Sequence, residues 1–373
     1  MAVTRTLRLG TRGSTLARAQ SGHVAQALAA VAERAGADLQ VSRSLVRTQG
    51  DVDPTALARL GGAGVFTAAL RTALLQGRCD LAVHSLKDLP VVPAPGLTLV
   101  AVPTRQDPRD ALCATGGAAE GLTVADLPPG ARVGTGSPRR AAQLLAARPD
   151  LRIVEIRGNV PTRLARVTGA SARPDGPMGA READLDAVVL ALAGLRRLDL
   201  EDHVSQVLPA VDGPWAAPAQ DPEAGPAVPR GPGGPVMVPA PGQGALAVEV
   251  RTELVETDPD VAALLAALDD AATRTAVTAE RAVLHRLQAG CAAPVGALAT
   301  VEGRSLRLEA VIAAVDGSAL VRRSGHAPLD LAAGDQLPGA AQVLGEAVAD
   351  ELVAAGASEL ADLGAGWPGR SRR

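Results

Sequence analysis

The residues best suited to chemistry lie where glycine, serine and arginine recur together. Gly134-Thr135-Gly136-Ser137-Pro138-Arg139-Arg140 reads as a strand end turning into a helix, with Pro138 at the first helical position. Free backbone N–H groups and the helix dipole favour an anion there, and the forks of Arg139 and Arg140 match carboxylate or phosphate. A dinucleotide-binding fingerprint needs glycine at the position held by Arg139, so that reading is set aside. Thr11-Arg12-Gly13-Ser14 makes a second strand–turn–helix with one arginine. Arg157-Gly158-Asn159, followed by Arg163, makes a third, and Gly194-Leu195-Arg196-Arg197 a fourth. Taken singly, each is an ordinary capped helix with a solvated arginine. Together at strand ends, where open α/β sheets bind ligands, they point to a polyanionic small molecule.

A fifth strand end carries His84-Ser85-Leu86-Lys87-Asp88. Lys+Arg total 37, and Lys87 is the one lysine, so this position is expected to need a compact ammonium rather than a planar fork. Asp88 beside a cation is ordinarily a structural ion pair; set among arginines it is a candidate to stabilise a cation or move protons. His84 reads as a packed strand residue. Of the three cysteines, Cys79 and Cys113 lie beside apolar strands and read as small buried hydrophobes. Cys291, in Gly290-Cys291-Ala292-Ala293-Pro294, is the nucleophile candidate because glycine and proline punctuate its loop. No spacing of His, Cys and carboxylates reads as a metal site.

The elements that must position these residues follow from periodicity. Strands are expected at 5–10, 41–47, 80–86 and 97–102, with helices from Ser14 or Thr15 to Arg34 and over 64–76. A second α/β unit follows: strands at 110–114, 132–134, 151–156 and 186–192, helices at 137–147 and 160–167. After a strand at 245–250, helices over 262–287, strands at 295–300 and 306–313 and a helix over 340–354 suggest a small α+β domain. Segments 169–182 and 213–235 are rich in Gly and Pro and read as insertions. No internal repeat is evident.

Composition narrows the class. The chain has 373 residues, 47% hydrophobic and 21% charged, enough for two or three packed domains. A net charge of −3 and 1% aromatic residues argue against a nucleic-acid partner. No apolar run is long enough to span a membrane and no signal segment is read, so a cytoplasmic protein is expected.

Taken jointly, these residues closely resemble the porphobilinogen deaminase (hydroxymethylbilane synthase) family. The markers are Gly10-Thr11-Arg12-Gly13-Ser14, Gly50-Asp51, Ala82 through Pro90, Asp107-Pro108-Arg109-Asp110, Val133-Gly134-Thr135, Ser137 with Arg139-Arg140, Arg157-Gly158-Asn159, Pro241-Gly242-Gln243-Gly244 and Gly290-Cys291. The resemblance implies an α/β fold of two periplasmic-binding-protein-like domains flanking a cleft, with a smaller C-terminal α+β domain. It implies boundaries at 1–104 plus 238–258, 105–212 and 259–373, with 213–237 an insertion or linker. A dipyrromethane cofactor would be bound through a thioether to Cys291. A monomer would join four porphobilinogen molecules head to tail, releasing ammonia, to give hydroxymethylbilane. By the same carry-over Asp88 is the acid/base that stabilises each cationic azafulvene. Arg12, Ser14, Ser85, Lys87, Ser137, Arg139, Arg140, Arg157, Gly158, Arg163 and Arg197 bind cofactor and substrate. One departure is Ala63, where the family often has lysine; Arg59 is the nearby cation. Two other readings remain open at this level: a non-catalytic anion-binding protein, and a Schiff-base enzyme using Lys87.

Overall fold

The computed structural model describes residues 5–46, 63–169, 182–210, 230–231, 234–235, 237–290, 293–330 and 337–361. Two units divide the chain, one made of Met1–Gln106 with Ala245–Arg274, the other of Asp107–Gly244 with Thr275–Arg373.

In the first unit, Leu7 and Leu9 alternate inward along β1 (Arg5–Thr11). The Ser14 hydroxyl accepts from Ala17 N at 3.3 Å and starts α1 (Thr15–Arg34), whose buried positions Val24, Leu28 and Val31 recur at helical spacing. β2 (Leu39–Leu45) pairs parallel to β1. After α2 (Ala63–Leu75) come β3 (Leu81–Ser85) and β4 (Leu97–Ala101). A strand from much later in the chain, β12 (Leu246–Arg251), inserts antiparallel between β3 and β4. The order is therefore β2-β1-β3-β12-β4.

The second unit repeats that plan. Its strands are β5 (Asp110–Ala114), β6 (Arg132–Gly134), β7 (Arg152–Val154), β8 (Ala187–Ala191) and β9 (Gln206–Val207), in the order β7-β6-β8-β5-β9. Here too β6 pairs parallel to both neighbours and the fourth position is antiparallel. The antiparallel strand is in each case the first after the chain enters or re-enters that unit. A repeat absent from the residues is therefore present in the topology. A two-residue ladder joins β10 (Arg230–Gly231) to β11 (Gly234–Pro235).

The same unit holds a three-stranded antiparallel sheet, β13 (Val295–Glu302), β14 (Ser305–Ala313) and β15 (Leu320–Pro328). Sequence periodicity misses β15, because an edge strand carrying Arg322, Arg323 and His326 shows little apolar alternation. Helices over Ala271–Arg286 and Leu337–Ala354 pack Ala279, Val283, Leu344 and Leu352 against Leu308 and Ile312. Gly345 permits that helix pair, since a Cβ there would strike the Ala279 carbonyl. The α/β class with a smaller C-terminal α+β part is thus observed.

The helix over Pro259–Ala266 lies in the first unit, where Val261, Leu264 and Leu265 share a core with Leu9 and Leu28. Residues 238–244 belong to the second unit, where Gln143 grips both polar groups of the Val238 backbone. Periodicity marks a helix or a loop; which sheet it covers is decided by long-range packing.

Candidate active site

In the first unit the candidate residues occupy the C-terminal ends of β1 and β3, adjacent parallel strands. Ser14 lies at the turn after β1, with its hydroxyl oxygen capping α1. Ser85 Oγ accepts from Gln20 Nε2 at 2.8 Å, which leaves its own O–H to donate. A single 3₁₀ turn, Leu86–Asp88, follows β3. Leu86 is fully buried and its N–H donates to Ala245 O at 3.0 Å; Leu89 is buried on the other side. Anchored by these leucines, the turn presents Lys87 half-buried and Asp88 exposed. Arg12 is half-buried at the neighbouring strand end.

His84, one residue before Ser85, points the other way. It is buried, with Nε2 at 3.2 Å from Glu249 Oε2, and Arg71 Nη2 meets the same carboxylate at 2.7 Å. Burial would push the Glu249 carboxyl up, but His84 and Arg71 together hold it at about 2. His84 is a core residue, as its strand context suggests.

In the second unit β6 runs into a helix over Pro138–Ala147, capped by Ser137 Oγ, which accepts from Arg140 N at 3.5 Å. Arg139 and Arg140 turn inward. Both are buried, and both converge on Asp110, the wholly buried first residue of β5. Arg139 Nη2 donates to Asp110 Oδ2 at 2.8 Å and Arg140 Nη2 lies 2.8 Å from Oδ1. Arg139 Nη1 also donates to Val238 O at 2.6 Å, and Arg140 Nη1 to Val189 O at 3.0 Å. Burial opposes the Asp110 charge, yet the two guanidiniums hold its carboxyl at about 2. Arg157 instead lies exposed against Glu155 at 2.8 Å, a weak pair that an incoming carboxylate can replace. Gly158 takes φ +105, and Arg163 Nε donates to its carbonyl at 2.8 Å. The loop around Arg59, the Gly50-Asp51 marker, most of both insertions and Cys291 lie outside the described residues.

Two family models match the chain. One, described as the porphobilinogen deaminase dipyromethane cofactor binding domain, covers residues 7–258, and the porphobilinogen deaminase C-terminal domain covers 274–354. The porphobilinogen deaminase of Micrococcus luteus is 49% identical, spanning 95% of this chain and 94% of its own. That of Cutibacterium acnes is 49% identical over 96% and 97%. The chain belongs to the porphobilinogen deaminase family. Among solved structures, a TRAP periplasmic solute binding protein from Desulfovibrio salexigens is similar at a TM-score of 0.37 and 12% identity, covering 72% of this chain and 73% of that one.

For a member of the porphobilinogen deaminase family, the fit of a polycarboxylate group rests on donors left over by the fold. Arg197 Nη2 donates to Gly244 O at 2.6 Å, while its buried Nε has no hydrogen-bond partner among the described residues. Burial lowers the Arg197 pKa to about 10, so a carboxylate would relieve a desolvated cation. Reasoning from motifs missed Asp110 as the shared partner of Arg139 and Arg140, and missed Gln20 and Gln143. The Asp107-Pro108-Arg109-Asp110 marker was the available signal for Asp110.

Asp110 and Glu249 both titrate lower in the folded protein than the ordinary 3.8 and 4.5. The stability they contribute is present above about pH 4.5 and is lost as pH falls towards about 2. The urea midpoint should drop across that window, and Glu249→Gln should make the drop shallower. A midpoint constant over the window would contradict both assignments.

Proposed function

We propose that the chain is a transferase that joins four porphobilinogen molecules head to tail, with loss of ammonia, to give hydroxymethylbilane. The observation that carries the site assignment is the Leu86–Asp88 turn, which holds one exposed carboxylate at a strand end between two buried leucines. When bound, the dipyrromethane cofactor supplies the terminal pyrrole to which units are added. Asp88 accepts hydrogen bonds from pyrrole N–H groups. Its negative charge offsets the positive charge left on porphobilinogen when the C–N bond breaks and the electron pair departs with ammonia. Arg12, Lys87, Arg157, Arg163 and Arg197 bind acetate and propionate groups, and Ser14, Ser85 and Ser137 add hydrogen bonds. Arg139 and Arg140, tied to Asp110, give that binding surface its shape and positive potential. A division into three domains, a cytoplasmic location and a monomeric state belong to the same proposal; no helix among the described residues is long and apolar enough to cross a membrane.

Attachment through Cys291 is supported by the state of the other thiols. Cys79 and Cys113 are buried, and burial pushes the Cys113 thiol up to about 12. Intact mass should exceed that of the bare chain by two linked pyrrole units. Cys291→Ala should lose the increment and the activity, while Cys79→Ala and Cys113→Ala should keep both. An unmodified wild-type chain that still polymerised porphobilinogen would refute the anchored primer.

A further inference from the structure

Glu280 is fully buried on the helix over Ala271–Arg286. Its Oε2 accepts from Gly242 N at 2.6 Å and its Oε1 from Ala299 N, on β13, at 2.9 Å. A carboxylate can satisfy both buried donors at once, which no apolar residue could do. The turn at 241–244 so held has Gly242 at φ +75 and Gly244 at φ +87, conformations that favour glycine. Between them, Gln243 Nε2 donates to Asp110 Oδ1 at 2.8 Å, and its Oε1 accepts from Arg140 Nη2 at 3.4 Å. The Gly244 carbonyl receives Arg197 Nη2.

We propose that Glu280 is a positioning residue for Arg197. By fixing the turn at 241–244 it sets the carbonyl that orients the guanidinium, and so governs how tightly the carboxylates of porphobilinogen are held. The inference rests on Arg197 being a carboxylate-binding residue. Its chain of contacts runs from a buried acid, through a turn of positive-φ glycines, to a half-buried cation, all within the second unit.

The test is a double-mutant cycle on the cofactor-loaded enzyme, with Glu280→Gln, Arg197→Lys and the double variant. Loading is checked by intact mass and folding by thermal melting. Glu280→Gln should raise KM for porphobilinogen about tenfold with kcat changed far less, the pattern of lost binding. The double variant should have a KM no higher than Arg197→Lys alone, because both act through one group. Additive KM effects would overturn the inference, as would an unchanged KM with a lower melting temperature. Failure of both Glu280→Gln and Glu280→Asp to fold would assign Glu280 a purely structural role and overturn it too. If the wild-type protein neither carried the adduct nor consumed porphobilinogen, the proposed function would fail instead.

Discussion

Asp88→Asn should fold and melt like the wild type yet turn over porphobilinogen at least about 10²-fold more slowly, the scale expected of a positioned acid/base group. Asparagine keeps the size and one acceptor oxygen but removes the charge. The turn should survive, because Leu86 and Leu89 anchor it and Asp88 itself is exposed. Exposed substitutions away from such anchors usually change stability by less than about 0.5 kcal/mol. Ammonia release and bilane formation should therefore fall together while the urea midpoint stays in place. Near-normal turnover would remove Asp88 from the mechanism.

Asp110→Ala should destabilise the protein by about 3–5 kcal/mol, the usual cost of removing one partner from a buried ion pair. The mutation strands Arg139 and Arg140, both buried, without the carboxylate that faces them. Arg157→Ala supplies the contrast, since its pair with Glu155 is exposed and should change stability by less than about 1 kcal/mol. Urea unfolding of the two variants separates the cases. Equal midpoints would show that the Asp110 cluster adds nothing beyond a surface pair. Loss of cofactor loading in Asp110→Ala, at a temperature where the chain remains folded, would extend its role to shaping the binding surface.

Much of the site is legible in the residues because its signals are local. Ser14, Ser137 and Asn159 cap helices within a turn of their own positions, and Gly158 takes the positive φ that its context demands. The alternation of Leu7 and Leu9 and the helical spacing of Val24, Leu28 and Val31 likewise reveal their elements without any partner. The hydrophobic character of Cys79 and Cys113 follows from the apolar strands beside them, and both are buried.

The amino-acid sequence by itself determined the family, the α/β class and the strand ends that carry arginine. Tertiary structure decided what each arginine meets within the chain: Asp110 for Arg139 and Arg140, Glu155 for Arg157, the Gly244 carbonyl for Arg197. Arg139 and Arg140 share a motif with Ser137, but their guanidiniums meet Asp110 from a strand 29 and 30 residues earlier. Likewise, β12 completes the first sheet only after the chain has built the second, and Glu280 reaches Gly242 across 38 residues. Motifs encode backbone geometry over a turn or two, whereas the direction of a long side chain is set by whichever distant charge or carbonyl compensates its loss of water.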